Sequence, residues 1–268
     1  MGLWPPTPFN IDGNPFARKD GPLVKSGSLP NSCADMAIWT GESIWTVGHN
    51  LKNVTGSPNT LDAFSDGATF QLRRLGATNM TLYPAPQLGY GSQSIARVTV
   101  ADSLIYWSGA AWTYSTVTPT IYLLTFRFSG TPVTGQKHWS GLAGDGLNGW
   151  QIECHATSGI RLALGNGTSG FNRSSYIGGT AFYDGRWYTM AIAVDYVNSK
   201  ARISCGGYNA EMTAIAIGSP AILLKTIGPT YTGDTWSVPV DYAVSAKGVG
   251  ANAYSNMDTM LSNFTARL

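Results

Sequence analysis

The feature that most constrains this chain is a period-two alternation of apolar and polar residues that recurs through its C-terminal half. In Ile121-Tyr122-Leu123-Leu124-Thr125-Phe126-Arg127-Phe128, Tyr122, Leu124, Phe126 and Phe128 share one face. In Trp150-Gln151-Ile152-Glu153-Cys154-His155 the alternation is stricter, with Trp150, Ile152 and Cys154 on one side and Gln151, Glu153 and His155 on the other. Ile160, Leu162 and Leu164 repeat it, as do Tyr188, Met190, Ile192 and Val194, then Ala201, Ile203 and Cys205, and finally Val240, Tyr242 and Val244. Successive strand side chains point to opposite faces, so each segment reads as a strand with one face toward a core. Several such strands separated by turn residues predict an all-β, two-sheet antiparallel sandwich. Met257, Met260, Leu261 and Phe264 instead fall at helical spacing and predict one short amphipathic turn lying on that sandwich.

The rest of the chain divides by composition. Residues 1–32 carry Pro5, Pro6, Pro8, Pro15, Pro22 and Pro30, which no regular element survives. This stretch reads as an extended arm whose apolar pegs are Trp4, Phe9, Ile11 and Phe16. Residues 33–118 read as a region rich in β-hairpins that supplies first strands to the sandwich, and residues 119–268 as the main domain. Within the middle region, Ile38 to Thr46 and Tyr106 to Thr113 each run aromatic strand, Gly-centred turn, aromatic strand, the pattern of a tight hairpin.

Charge excludes some partners. Lys and Arg number 17 against 15 Asp and Glu, so a net charge of +2 gives no electrostatic reason to expect nucleic acid or an anionic membrane. Only 12% of residues are charged, about half the usual share. Cys33, Cys154 and Cys205 are odd in number and widely spaced, which predicts free thiols in place of a disulfide framework. The opening Met1-Gly2-Leu3-Trp4-Pro5-Pro6 lacks the basic start and apolar run of a secretion signal, so synthesis in a reducing cytoplasm is the expectation.

Together, the strand Tyr122 to Phe128, Gly149-Trp150-Gln151-Ile152, Gly159-Ile160-Arg161-Leu162, Tyr183-Asp184-Gly185-Arg186-Trp187-Tyr188, Ala191 to Asp195 and Val240 to Val244 resemble a laminin-G or concanavalin-A-like lectin/glucanase domain. The Asp-Gly-x-Trp turn before an apolar strand is the most specific of these signals. The resemblance implies a jelly-roll sandwich of the kind found in tailed-phage virion accessory proteins. One departure stands out: where the family often has a Tyr-x-Asp-Gly hairpin, this chain reads Cys205-Gly206-Gly207-Tyr208.

Catalysis and metal binding find little support. Glucanases of this fold use a Glu-x-Asp-x-x-Glu strand, and none of Glu42, Glu153 and Glu211 has an Asp two residues on. Alginate lyases of the fold carry Gln-Ile-His, whereas Gln151-Ile152 is followed by Glu153. The stripe Gln151, Glu153, His155 therefore reads as a solvated or hydrogen-bonded face, with an acid–base role as its rival. Cys154 and His155 point to opposite faces and cannot share an ion, and His49 and His138 have no partner at ligand spacing. No catalytic residue, metal or cofactor is expected. Gly165-Asn166-Gly167-Thr168 and Gly206-Gly207 read as hairpin turns, since no helix follows them to cradle phosphate.

Two groups combine an aromatic ring with amide or charged side chains, which is what a sugar needs: Trp139 with Asp145 and Asn148, and Asn172 with Arg173 and Tyr176. Asp145 and Asn148 also admit a loop calcium site, with an ordinary turn as the simpler reading. The sequence thus predicts a non-enzymatic phage virion protein, a capsid decoration or tail component, with a lectin-like domain displayed outward. Its arm would hold other virion proteins or further copies of the chain, and its sandwich a cell-surface glycan. A lectin or adhesin module is the alternative, and a polysaccharide hydrolase or lyase the second.

Overall fold

The computed structural model describes residues 114–135, 147–220 and 248–262, with residue 265, in full, and the backbone of strand and helix residues elsewhere between 43 and 264. In chain order the strands are β1 (Ser43–Val47), β2 (Lys52–Val54), β3 (Ser57–Ala63), β4 (Gly67–Arg74), β5 (Leu82–Pro84), β6 (Gln93–Ile95), β7 (Ile105–Trp107), β8 (Thr120–Phe128) and β9 (Lys137–Leu142). They continue with β10 (Gly149–His155), β11 (Gly159–Gly165), β12 (Phe171–Arg173), β13 (Ile177–Gly178), β14 (Tyr188–Asp195), β15 (Lys200–Cys205), β16 (Tyr208–Met212), β17 (Leu224–Ile227) and β18 (Val240–Val249). A helix, α1 (Met257–Thr265), follows.

These strands form two antiparallel sheets. The first runs β16-β15-β14-β8-β18-β6-β5, with β1 also paired to β18; the second runs β12-β11-β10-β9-β17-β7-β4-β3-β2, with β13 on β11. The alternation of the sequence sets what lies between them. Tyr122, Leu124, Phe126 and Phe128 of β8, Met190, Ile192 and Val194 of β14, and Ala201, Ile203 and Cys205 of β15 face Trp150, Ile152 and Cys154 of β10 and Ile160, Leu162 and Leu164 of β11 in one core. Phe126 and Phe128 meet edge to face at 5.5 Å between ring centroids, and Phe128 meets Tyr183 likewise at 5.1 Å. Cys154 and Cys205 are free and buried, and burial pushes both thiols up. Cys33 and the arm residues Trp4, Phe9, Ile11 and Phe16 lie outside the described residues.

The first sheet is apolar on its outward side as well. Ile121, Leu123, Ala191 and Ala193 are fully buried although they alternate with the core row. The reason is α1, which packs on β14 and β8 with Met257 and Met260 fully buried. The small Ala side chains let a helix approach a sheet face closely.

In the Tyr106 to Thr113 segment, β7 pairs with β4 on one edge (Tyr106 opposite Arg73) and with β17 on the other (Tyr106 opposite Thr226). Residues 108–113, the turn and second strand of the expected hairpin, lie outside the described residues. In the other Trp-rich segment, β1 is a strand that pairs with β18, Ser43 opposite Val249 through Val47 opposite Ser245.

Candidate functional site

Among the described residues, two outward surfaces combine polar and aromatic groups, one on each sheet. On the first sheet, α1 covers only part of the outward face, and beyond its edge the residues become small and polar. Thr125 and Thr189 are cross-strand partners whose hydroxyls meet at 3.0 Å, and Ser204 sits between Ala191 and Asn209 in register. Thr189 and Ser204 line a cleft of about 630 Å³. Trp187 and Tyr188 stand at one side, Asp258, Leu261, Ser262 and Thr265 of α1 at the other, and Gly206, Gly207 and Asn209 form the lip.

Each wall is held in place locally. The turn into β14 is set by Asp184, whose Oδ1 accepts from the Arg186 amide at 2.9 Å, while Gly185 takes φ 81°. Tyr188 donates its hydroxyl to the Ala181 carbonyl at 2.8 Å, with Asp184 Oδ2 3.0 Å away. The Arg127 guanidinium lies 5.0 Å from the Trp187 ring centroid, and the Trp187 indole N–H is buried with no acceptor among the described residues. Across the cleft, Arg202 Nη2 holds Asp258 Oδ2 at 2.7 Å and so ties α1 to β15. The lip is a two-residue turn: Gly206 and Gly207 adopt φ 56° and 87°, which non-glycine residues resist, and Cys205 closes directly opposite Tyr208. This hairpin stands where the resembling family often has Tyr-x-Asp-Gly.

On the second sheet, the stripe Gln151, Glu153, His155 faces outward but is not solvated at its centre: Gln151 and Glu153 are only 3% and 5% exposed. Glu153 lies directly opposite Arg161 in the ladder, and Arg173 lies one strand further out, opposite Ala163. Arg161 donates from Nε at 2.8 Å and sits with Nη2 at 2.7 Å from Glu153 Oε2; Arg173 donates from Nε at 3.0–3.1 Å to both carboxylate oxygens. Gln151 Nε2 adds a bond to Oε1 at 2.8 Å. Burial alone would raise the Glu153 carboxyl, but the two guanidiniums outweigh it and hold the group below the usual carboxylate range. His155 accepts at Nδ1 from the amides of Thr157 and Ser158, at 3.3 and 3.1 Å, which leaves its proton on Nε2.

The residues singled out from the sequence fall as follows. Tyr176 packs tilted against His155 with centroids 5.1 Å apart and carries the Arg161 guanidinium 4.3 Å from its ring centroid, so Arg173 and Tyr176 do share one surface. Asn172 turns elsewhere and donates to the Ala216 carbonyl at 2.6 Å. Asn148 accepts the Ser219 amide at 2.7 Å, a tie between two loops. Trp139 lies opposite Ile152 and Ile227 in register, and Asp145 is outside the described residues. Among the described residues no three His, Cys, Asp or Glu side chains gather as metal ligands. Sequence reasoning missed the cleft, because its walls come from residues 187–189, 204–209 and 258–265. Its available signals were the Asp-Gly-x-Trp turn and the helical spacing of Met257 and Met260, whose helix had to lie beside a sheet face.

No known family profile matches the sequence, and no curated relative does. Solved structures do. The binding domain of Paraclostridial Mosquitocidal Protein 1 is similar with a TM-score of 0.58 at 10% identity, over 81% of this chain and 52% of that one. A botulinum neurotoxin type C structure matches at 0.54 and 10% identity, over 82% and 51%, and the binding domain of botulinum neurotoxin DC at 0.54 and 12%, over 81% and 51%. The fold is that of a lectin-like β-sandwich. The chain spans about half the length of these neighbours, and at such identities the likeness speaks for the fold alone.

Proposed function

We propose that this chain is a non-catalytic carbohydrate-binding module and that its glycan lies in the cleft between β14–β16 and α1. The observation that carries this reading is the lining. Trp187 offers apolar ring surface, while Thr189, Ser204, Asn209, Ser262 and Thr265 offer neutral donors and acceptors around a space of about 630 Å³. Ligand clefts of several hundred Å³ with a few convergent polar groups are typical of small-molecule sites. Neighbours of the same fold add support: botulinum neurotoxin type C depends on two ganglioside molecules to get into cells, and the DC binding domain has been seen with SialylT and with rat synaptotagmin II. A hydrolase or lyase reading is weaker, because Glu153, the acid of the outward stripe, accepts hydrogen bonds from Arg161, Arg173 and Gln151 and stays ionised. A carboxylate held in this way is a poor proton donor.

A glycan array followed by calorimetry tests the reading. Ser262→Trp should fill the cleft and abolish binding of the array hit, with the melting temperature unchanged. If no glycan binds, or if binding survives Ser262→Trp, the cleft is not a lectin site. In the fuller form of the proposal the module is displayed on a tailed-phage virion, anchored by residues 1–32 through Trp4, Phe9, Ile11 and Phe16. Support for that form is the low charge and the Pro-rich arm. Deleting residues 2–30 should then leave the sandwich folded and remove the chain from particles.

A further inference from the structure

We propose a second ligand site, on the outward face of β10–β12, that recognises the carboxylate of an acidic sugar through Arg173 and Arg161. It is separate from the cleft, which lies on the other sheet. Two guanidiniums surround one carboxylate, so the cluster of Glu153, Arg161 and Arg173 keeps one net positive charge in a chain of few charges. Every contact of Arg173 with Glu153 runs through Nε, at 3.0–3.1 Å. Its side chain is 41% exposed, and among the described residues neither terminal nitrogen is taken by a hydrogen bond, which leaves the fork for a ligand. A planar fork held by its Nε matches a carboxylate in bidentate fashion, and little of its freedom is left to lose on binding.

The surroundings favour a sugar acid over a bare anion. Arg173 lies 5.5 Å from the Phe171 ring centroid, and Arg161 lies 4.3 Å from that of Tyr176. Both rings are only partly buried, so apolar surface stands beside the cation pair, as the face of a pyranose requires. Tyr176 reaches Arg161 for a simple reason. Ile177 pairs with Ile160, and Tyr176 and Arg161 are the next residues on the two segments. The His155 ring lies beside Tyr176, with centroids 5.1 Å apart. Glu153 is saturated by its partners and acts as the positioning residue beneath the fork.

The test is calorimetric titration of the full chain with methyl glucuronoside, methyl glucoside and inorganic phosphate, at low and at high salt. The uronoside should bind, more weakly as salt rises, while the glucoside does not compete for the site. Arg173→Gln should weaken uronoside binding at least tenfold without changing the melting curve, since Arg161 and Gln151 still hold Glu153. Arg173→Lys should not restore it, because an ammonium lacks the fork. Ser262→Trp should leave it intact, which separates failure here from failure of the cleft. The proposal falls if the wild-type chain does not bind the uronoside, if Arg173→Gln binds it equally, or if phosphate binds as well as the uronoside.

Discussion

On the sheet that carries β8, β14 and β15 the outward row reads Ile121, Leu123, Ala191 and Ala193, all fully buried, whereas on the other sheet the outward row of β10–β12 reads Gln151, Glu153, Arg161 and Arg173. The first row is covered by α1 and stabilised by apolar burial. The second gives up the alternation's usual solvation and instead closes a hydrogen-bonded ion cluster around a buried carboxylate. A helix can therefore be lost or shifted on one face at the cost of its apolar contacts. On the other face the removal of the one shared carboxylate, Glu153, leaves two guanidiniums without their counter-charge.

The comparison breaks most sharply at Leu123. Leu123→Asp places an unpaired carboxylate in the layer under α1 and should cost about 5 kcal/mol or abolish folding altogether, as judged by urea denaturation. A folded variant with an unchanged midpoint would mean that the row is not buried. Met260→Ala removes a fully buried side chain of the covering helix and should cost about 3 kcal/mol. It should also weaken glycan binding in the cleft, because α1 forms one wall, while uronoside binding on the opposite sheet stays as it was.

Glu153→Gln should cost about 2 kcal/mol at neutral pH, since Arg161 loses its counter-charge in a largely buried setting. The pH dependence sharpens this. The folded-state value of Glu153 is depressed, so its contribution is fully present above the unfolded value near ~4.3 and is lost as pH falls through the depressed folded value. Wild type and Glu153→Gln should therefore converge in stability on acidification below that window; curves that stay parallel down to pH 2 would contradict the ion cluster. The smallest effect belongs to Asp258→Asn. Its carboxylate is 60% exposed, and loss of the Arg202 pair should change stability by under about 1 kcal/mol.

Much of the sandwich was legible because strand burial writes itself in a period of two. Trp150, Ile152 and Cys154 are assigned to the core by their spacing alone, and Met257 and Met260 betray a helix by theirs. What was not legible depends on partners distant in the chain. Nothing around Tyr106 announces that its ladder partners Arg73 and Thr226 come from distant parts of the chain. The stripe of Gln151, Glu153 and His155 looks solvated until Arg161 and Arg173 arrive from the next two strands. The cleft was hidden for the same reason, since Asn209, Trp187 and Ser262 carry no common motif and meet only through the fold.

The Gly206-Gly207 turn at the cleft's lip also restricts how this surface can change over evolutionary time. Because the turn has two residues and closes Cys205 on Tyr208, Asn209 keeps its place opposite Ser204 on the outward side. One residue inserted into the turn would rotate the following strand by half a period, sending Asn209 toward the core and Ala210 outward. New binding preferences along this edge must therefore arise by exchanging side chains at fixed positions, whereas the five-residue loop 166–170 between β11 and β12 can lengthen without disturbing any ladder.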